Sequence, residues 1–143
     1  ANTAAVHKLY GGPAIVADLG TATTFDVVSK EGDYLGGAIA PGLGITADAL
    51  VRRTSKLPRV ELTLPDKAIG TNTVSAMRSG LVLGYLGLVK ELVARLKSEA
   101  PGEPKVIATG GMAEIVAEWT QVIDIVNPRL TLEGLRIIYE LNQ

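Results

Sequence analysis

The stretch Ala14-Ile15-Val16-Ala17-Asp18-Leu19-Gly20-Thr21-Ala22-Thr23-Thr24-Phe25-Asp26-Val27-Val28 constrains the fold more than any other part of the chain. Four apolar, β-prone residues in a row predict a strand covered on both faces. Asp18 stands at the strand end. Gly20 follows, and its missing side chain permits a tight turn and the close approach of another group. Thr21, Thr23 and Thr24 then bring hydroxyls, and a second β-rich run carries the chain back. A turn of this kind presents N–H and O–H donors to phosphate oxygens, and Asp18 is placed to hold a cation that neutralises them. The same residues also suit a plain hairpin with a capping Asp and ordinary strand threonines. Spacing alone leaves both readings open.

Around this stretch the chain divides into short elements. Residues 2–9 predict a helix with Ala5, Val6 and Leu9 on one face, ended by Gly11-Gly12-Pro13. After the turn signal Glu31-Gly32-Asp33, residues 34–40 predict a third strand. Three strands joined by such short turns make an antiparallel meander, because a parallel crossover needs a longer connection. A helix is expected over 44–55 and an extended, alternating segment over 60–64. Thr71, Asn72 and Thr73 compete to cap a long helix running to Ala100. Its middle, residues 81–89, is apolar on every side and predicts burial all round. Gly80, Gly84 and Gly87 leave room there for another backbone, from the core or from a second protomer.

Pro101-Gly102 ends that helix, and residues 106–109 predict a short buried strand leading into Gly110-Gly111 and a helix over 113–119. Strand-Gly-Gly-helix is either a phosphate- or nucleotide-binding junction or a simple tight turn. A short strand over 122–126 and a helix over 131–141, with Leu135, Ile138 and Leu141 as its apolar stripe, close the chain.

Composition narrows the function. With 143 residues and 47% hydrophobic content, one domain with its own core is expected. Fourteen Lys and Arg against fifteen Asp and Glu leave no electrostatic footprint for nucleic acid. The chain has no cysteine, so disulfides and thiolate metal sites are impossible, which fits a cytoplasmic protein. No leader pattern opens the sequence, and the longest apolar run is too short to span a bilayer, so no membrane partner is expected. His7 reads as a surface helix residue. Gly42-Leu43-Gly44-Ile45-Thr46-Ala47 matches a dinucleotide fingerprint, yet it follows a meander strand and Pro41, which argues against that use. Arg52, Arg53, Lys56 and Arg59 form a basic cluster, either solvated or facing a ligand carboxylate.

The order β-β-β-α-(short β)-α-β-α-β-α resembles a domain of the acetate kinase–sugar kinase–Hsp70–actin superfamily. The words Asp18-Leu19-Gly20-Thr21-Ala22-Thr23-Thr24-Phe25-Asp26, Tyr34-Leu35-Gly36-Gly37-Ala38-Ile39-Ala40-Pro41-Gly42, Lys56-Leu57-Pro58-Arg59-Val60, Asn72-Thr73-Val74 with Ala76-Met77 and Ser79-Gly80, and Ala108-Thr109-Gly110-Gly111 resemble the C-terminal half of type III pantothenate kinase. The resemblance implies an α/β, ribonuclease H-like (actin-like ATPase) domain: a three-stranded antiparallel meander extended by parallel strands, with helices packed on the sheet. Residues 1–143 would be a single domain, the C-terminal half of a two-domain actin-like kinase.

The implied activity is ATP-dependent phosphorylation of pantothenate to 4'-phosphopantothenate, the first step of coenzyme A biosynthesis. By motif, Asp18 would ligate a monovalent cation, potassium or ammonium. Gly20, Thr21, Gly110 and Gly111 would meet ATP, which arrives with Mg, and Thr73 would contact pantothenate. The family's state would be a cytoplasmic homodimer.

The departures are as informative. Family members are much longer, and their first half carries an Asp-x-Gly-Asn-Thr phosphate loop that this chain lacks. Their Gly-x-Asp-Arg motif, with the proton-accepting Asp, falls just before the match to Ala1-Asn2. The catalytic base is therefore expected upstream of Ala1, with none in this chain, which would be inactive alone. The alternatives are a non-catalytic regulatory or binding module of the same fold, and half of another acid or sugar kinase.

Overall fold

The apolar run 14–17 becomes the central strand of a five-stranded sheet. The computed structural model describes residues 1–54 and 56–143. In chain order the elements are α1 (Asn2–Tyr10), β1 (Ala14–Leu19), β2 (Ala22–Val28), β3 (Tyr34–Pro41) and α2 (Leu43–Arg53). Then come α3 (Thr73–Arg78), a π-helical turn (Ser79–Leu83), α4 (Gly84–Glu99), β4 (Lys105–Thr109), α5 (Ala113–Trp119), β5 (Ile125–Val126) and α6 (Leu130–Leu141). The end of the helix expected over 44–55 falls on Ser55, outside the described residues.

The sheet order is β3-β2-β1-β4-β5. β1, β2 and β3 pair antiparallel, while β4 runs parallel to β1 and β5 parallel to β4. This is the expected meander extended by parallel strands. β1 is buried on both faces. Ile15, Ala17 and Leu19 join a core with Phe25, Tyr85, Leu86, Val89 and Val106. Ala14 and Val16 join a second core with Val6 of α1 and Leu130 and Ile137 of α6. Each fully buried branched side chain contributes roughly 1.5–3 kcal/mol, so β1 anchors both layers.

Four expectations change. No strand forms over 60–64, although Leu57, Val60 and Leu62 pack on the core. Its alternation reflects that packing and not a ladder. A side chain of the long helix takes one of its carbonyls, since Arg78 Nε donates to Glu61 O at 2.9 Å, and Ser79 Oγ donates to Ala68 O in the loop beyond. Of the three competing caps Asn72 is the one used, and the long helix starts at Thr73. Ser75 N donates to Asn72 Oδ1 at 2.9 Å, and Asn72 N donates to Ser75 Oγ at 3.1 Å.

That helix is not buried all round. Leu81, Val82, Tyr85, Leu86 and Val89 face the core, whereas Gly80, Gly84 and Gly87 lie exposed with open space around them. Within the described residues, only one side of the helix meets the sheet, so its other apolar side has no layer to pack on.

The helix faces of the second core also differ. Leu9 is exposed, and α6 buries Leu130, Gly134 and Ile137 while Leu135, Ile138 and Leu141 face outward. A side chain at Gly134 would run into the Ala1 backbone. The close fit of a glycine against α1 therefore decides which face turns inward, overriding the count of large apolar residues. The strand expected over 122–126 shortens to Ile125–Val126 because Asp124 accepts from Val106 N through its carboxylate, at 2.8 Å. No described helix is long and apolar enough to cross a membrane.

Candidate active site at the carboxyl ends of the parallel strands

Because β1 and β4 run parallel with Asp18 opposite Thr109, both strands end together. The turn 18–21 and the Gly110-Gly111 turn therefore lie side by side, where ligands bind in open α/β sheets. Met112 N donates to Leu19 O at 2.9 Å and fastens one turn to the other. Gly110 has φ +96°, and a Cβ there would lie 2.7 Å from Leu19 C and 2.8 Å from Asp18 Oδ1. Only glycine fits this position. Gly42, between β3 and α2, supplies a third wall, since any side chain there would meet the Gly20 and Thr21 carbonyls. The fingerprint-like Gly42 thus serves packing against the turn. The strand before it is antiparallel, which removes the dinucleotide reading.

Asp18 is half-buried, Gly20 and Gly110 are half-buried, and Thr21 and Gly111 are exposed at the rim. Asn2 Nδ2 donates to Asp18 Oδ2 at 3.3 Å, and Thr131 Oγ1 donates to Asn2 Oδ1 at 2.7 Å. Among the described residues no Lys or Arg forms an ion pair with Asp18. The Asp18 carboxylate and the Thr21 hydroxyl at this turn are oxygen groups of the kind that suit a hard cation. No group of three His, Cys, Asp or Glu that could cage a metal occurs among the described residues.

Of the three threonine hydroxyls, one is withdrawn from the rim. Thr23 is buried, and its Oγ1 lies 2.7 Å from Tyr85 OH across the core. Burial pushes the Tyr85 phenol up from its usual range, with the Thr23 bond opposing, so it stays protonated at neutral pH. Thr23 therefore ties β2 to α4 and does not offer its hydroxyl to a phosphate.

Thr73 stands exposed at the first position of α3, and no hydrogen bond joins it to the Asp18 cluster among the described residues. The structure thus brings Asp18, Gly20, Thr21, Gly110 and Gly111 to one end of the sheet. In the basic cluster, Arg59 pairs with Asp48 at 2.9 Å, with both side chains largely exposed; such a pair adds little stability. His7 is an exposed helix residue whose ring covers Gly32. Asn2 and Thr131 were not apparent as site residues from sequence, since 129 residues separate them.

The fold and this rim define a domain of the actin-like ATPase class. Solved structures agree. A Baf-family transcriptional activator from Campylobacter jejuni superposes with TM-score 0.65 at 25% identity, over 97% of this chain and 62% of that one. An activator of 2-hydroxyisocaproyl-CoA dehydratase from Clostridium difficile, with bound ADPNP, gives TM-score 0.53 at 14% identity, over 93% and 60%.

The chain belongs to the type III pantothenate kinase family, whose model matches residues 1–95. Type III pantothenate kinases of Dehalococcoides mccartyi strain CBDB1 and Roseiflexus castenholzii are 55% and 56% identical over 99% and 100% of this chain. The chain spans about half the length of these relatives, 54% and 56% respectively.

Proposed function

We propose that this chain works as the C-terminal half of a pantothenate kinase, phosphorylating pantothenate to 4'-phosphopantothenate with ATP at the head of coenzyme A biosynthesis. The observation that carries this is the meeting of the Asp18–Thr21 and Gly110-Gly111 turns at one sheet end, in a chain of this family. Phosphoryl transfer asks little covalent chemistry of a protein; it needs aligned phosphates, neutralised charge and a base for the attacking hydroxyl.

Asp18 would hold a potassium or ammonium ion, whose positive charge, when bound, offsets that of the phosphates. The Thr21 hydroxyl and the backbone of Gly20, Gly110 and Gly111 would contact ATP, which brings its own Mg. Thr73 would orient pantothenate. The base for the attacking hydroxyl would be supplied by another part of the full-length kinase. A cysteine-free composition supports work in the cytoplasm.

Valine keeps the shape of threonine and removes its hydroxyl, which separates the two substrate roles. In a full-length kinase containing this chain, Thr21→Val is expected to raise KM for ATP, and Thr73→Val KM for pantothenate. Each effect should be about 1–3 kcal/mol, the penalty of an unpaired polar group. Steady-state kinetics at one fixed potassium concentration checks this. If both variants impair the same substrate, the division of the site is wrong.

A second reading, a non-catalytic regulatory module, draws on the likeness to the Campylobacter jejuni activator. It requires that neither substitution alter turnover.

The homodimer belongs to this proposal. The open Gly80, Gly84 and Gly87 side borders a groove lined by Leu83, Leu86, Ala94 and Trp119. This surface suits close approach by a second copy. Light scattering of the full-length protein is expected to give two chains, and a monomer at the assay concentration would contradict it.

A further inference from the structure

The Asp18 carboxylate is held asymmetrically. Its Oδ2 accepts from Asn2 Nδ2 at 3.3 Å, while Oδ1 is the oxygen on the side of the Gly20 and Gly110 turns. A Cβ at Gly110 would lie 2.8 Å from Oδ1, and one at Gly20 would lie 3.6 Å from it. An ionised carboxylate only accepts hydrogen bonds, so the Asn2 amide must show it the NH2 end. That leaves Asn2 Oδ1, also an acceptor, facing Thr131, whose hydroxyl must therefore donate, as it does at 2.7 Å. Thr131 lies in the first turn of α6, and its hydroxyl makes this contact to Asn2. Three elements, β1, α1 and α6, meet in the relay.

We propose that Asn2 and Thr131 are positioning residues for cation binding: Thr131 sets the orientation of the Asn2 amide, and Asn2 clamps Oδ2 so that Oδ1 is presented to the ion. This rests on the reading of Asp18 as the cation ligand. Neighbours that orient a metal ligand affect affinity although they never touch the ion.

The test uses a full-length kinase containing this chain and two readouts. The first is the potassium-dependent rise in melting temperature without nucleotide; the second is the potassium half-saturation of turnover. Asn2→Ala is expected to raise both midpoints roughly tenfold, the scale of a lost hydrogen bond to a charged group. Thr131→Val should raise them about threefold, because a freed amide still visits the correct orientation part of the time. Thr131→Ser, which keeps the hydroxyl, should restore them. The double variant Asn2→Ala/Thr131→Val should match Asn2→Ala alone, since Thr131 acts only through Asn2.

Lower melting temperatures with unmoved potassium midpoints would make both residues merely structural and overturn the proposal. Additive effects in the double variant would overturn the relay. Asp18→Asn is run alongside: if it leaves the potassium midpoint unmoved, the cation reading itself fails, a result separable from failure of the relay. Should Asn2→Ala not fold, the Thr131→Val and Thr131→Ser pair decides alone.

Discussion

Asp18→Asn is expected to lower kcat/KM of the full-length kinase on the order of 100-fold and to abolish its ordinary response to potassium. The substitution keeps the size of the side chain and removes its charge. Asp18 sits half-buried where β1 ends, with no cationic side chain paired to it among the described residues. Among the described residues, the one side-chain hydrogen bond made to the carboxylate comes from the Asn2 amide, which does not neutralise charge. An ion bound there would set a positive charge beside phosphates that are themselves anionic. Titrating activity against potassium for both forms measures the effect. A variant that loses turnover but keeps the wild-type potassium midpoint would place the ion elsewhere.

The second large effect is expected from Gly110→Ala. At φ +96° an alanine is strained by about 1–3 kcal/mol before any contact is counted. Its Cβ would also press on the Leu19 backbone at 2.7 Å and on Asp18 Oδ1 at 2.8 Å. The Leu19 carbonyl is already bound by Met112 N, so the turn cannot yield without breaking the seam between β1 and β4. The melting temperature should fall by several degrees, and KM for both ATP and potassium should rise. Gly111→Ala is the matched control for stability. A Cβ there meets open space, so its melting temperature should stay close to wild type. Equal losses in the two variants would show that the Gly110 contact is not what sets the turn.

Much of this was legible from sequence because local signals and global packing agreed. The β1 run is apolar at every position and is covered on both faces; the short turns after it allow only an antiparallel return. α5 follows its Gly-Gly junction over Ala113–Trp119, as expected. The Asp18, Gly20, Thr21, Gly110 and Gly111 set came together because strand direction alone places the two turns at one end.

What was not legible depends on contacts between distant residues. Which face of α6 turns inward is decided by Gly134 against Ala1, a fit invisible to hydrophobic periodicity. The π-helical turn at Ser79–Leu83 changes the rotation of the helix beyond it, so a single 3.6-residue period does not describe both halves. Thr23 looked like a rim hydroxyl, but Tyr85, 62 residues away, draws it into the core. The apolar alternation over 60–64 reports the packing of Val60 and Leu62 on the core, and the Glu61 carbonyl is taken by Arg78 instead of by a neighbouring strand.

The most direct measurement of the central claim is the fate of the ATP γ-phosphoryl in a full-length kinase containing this chain. With γ-labelled ATP, pantothenate and potassium, the label is expected in 4'-phosphopantothenate by mass spectrometry, and replacing potassium with sodium should suppress its appearance. Label that remains in ATP, or reaches inorganic phosphate or another alcohol while pantothenate stays unmodified, would contradict the account.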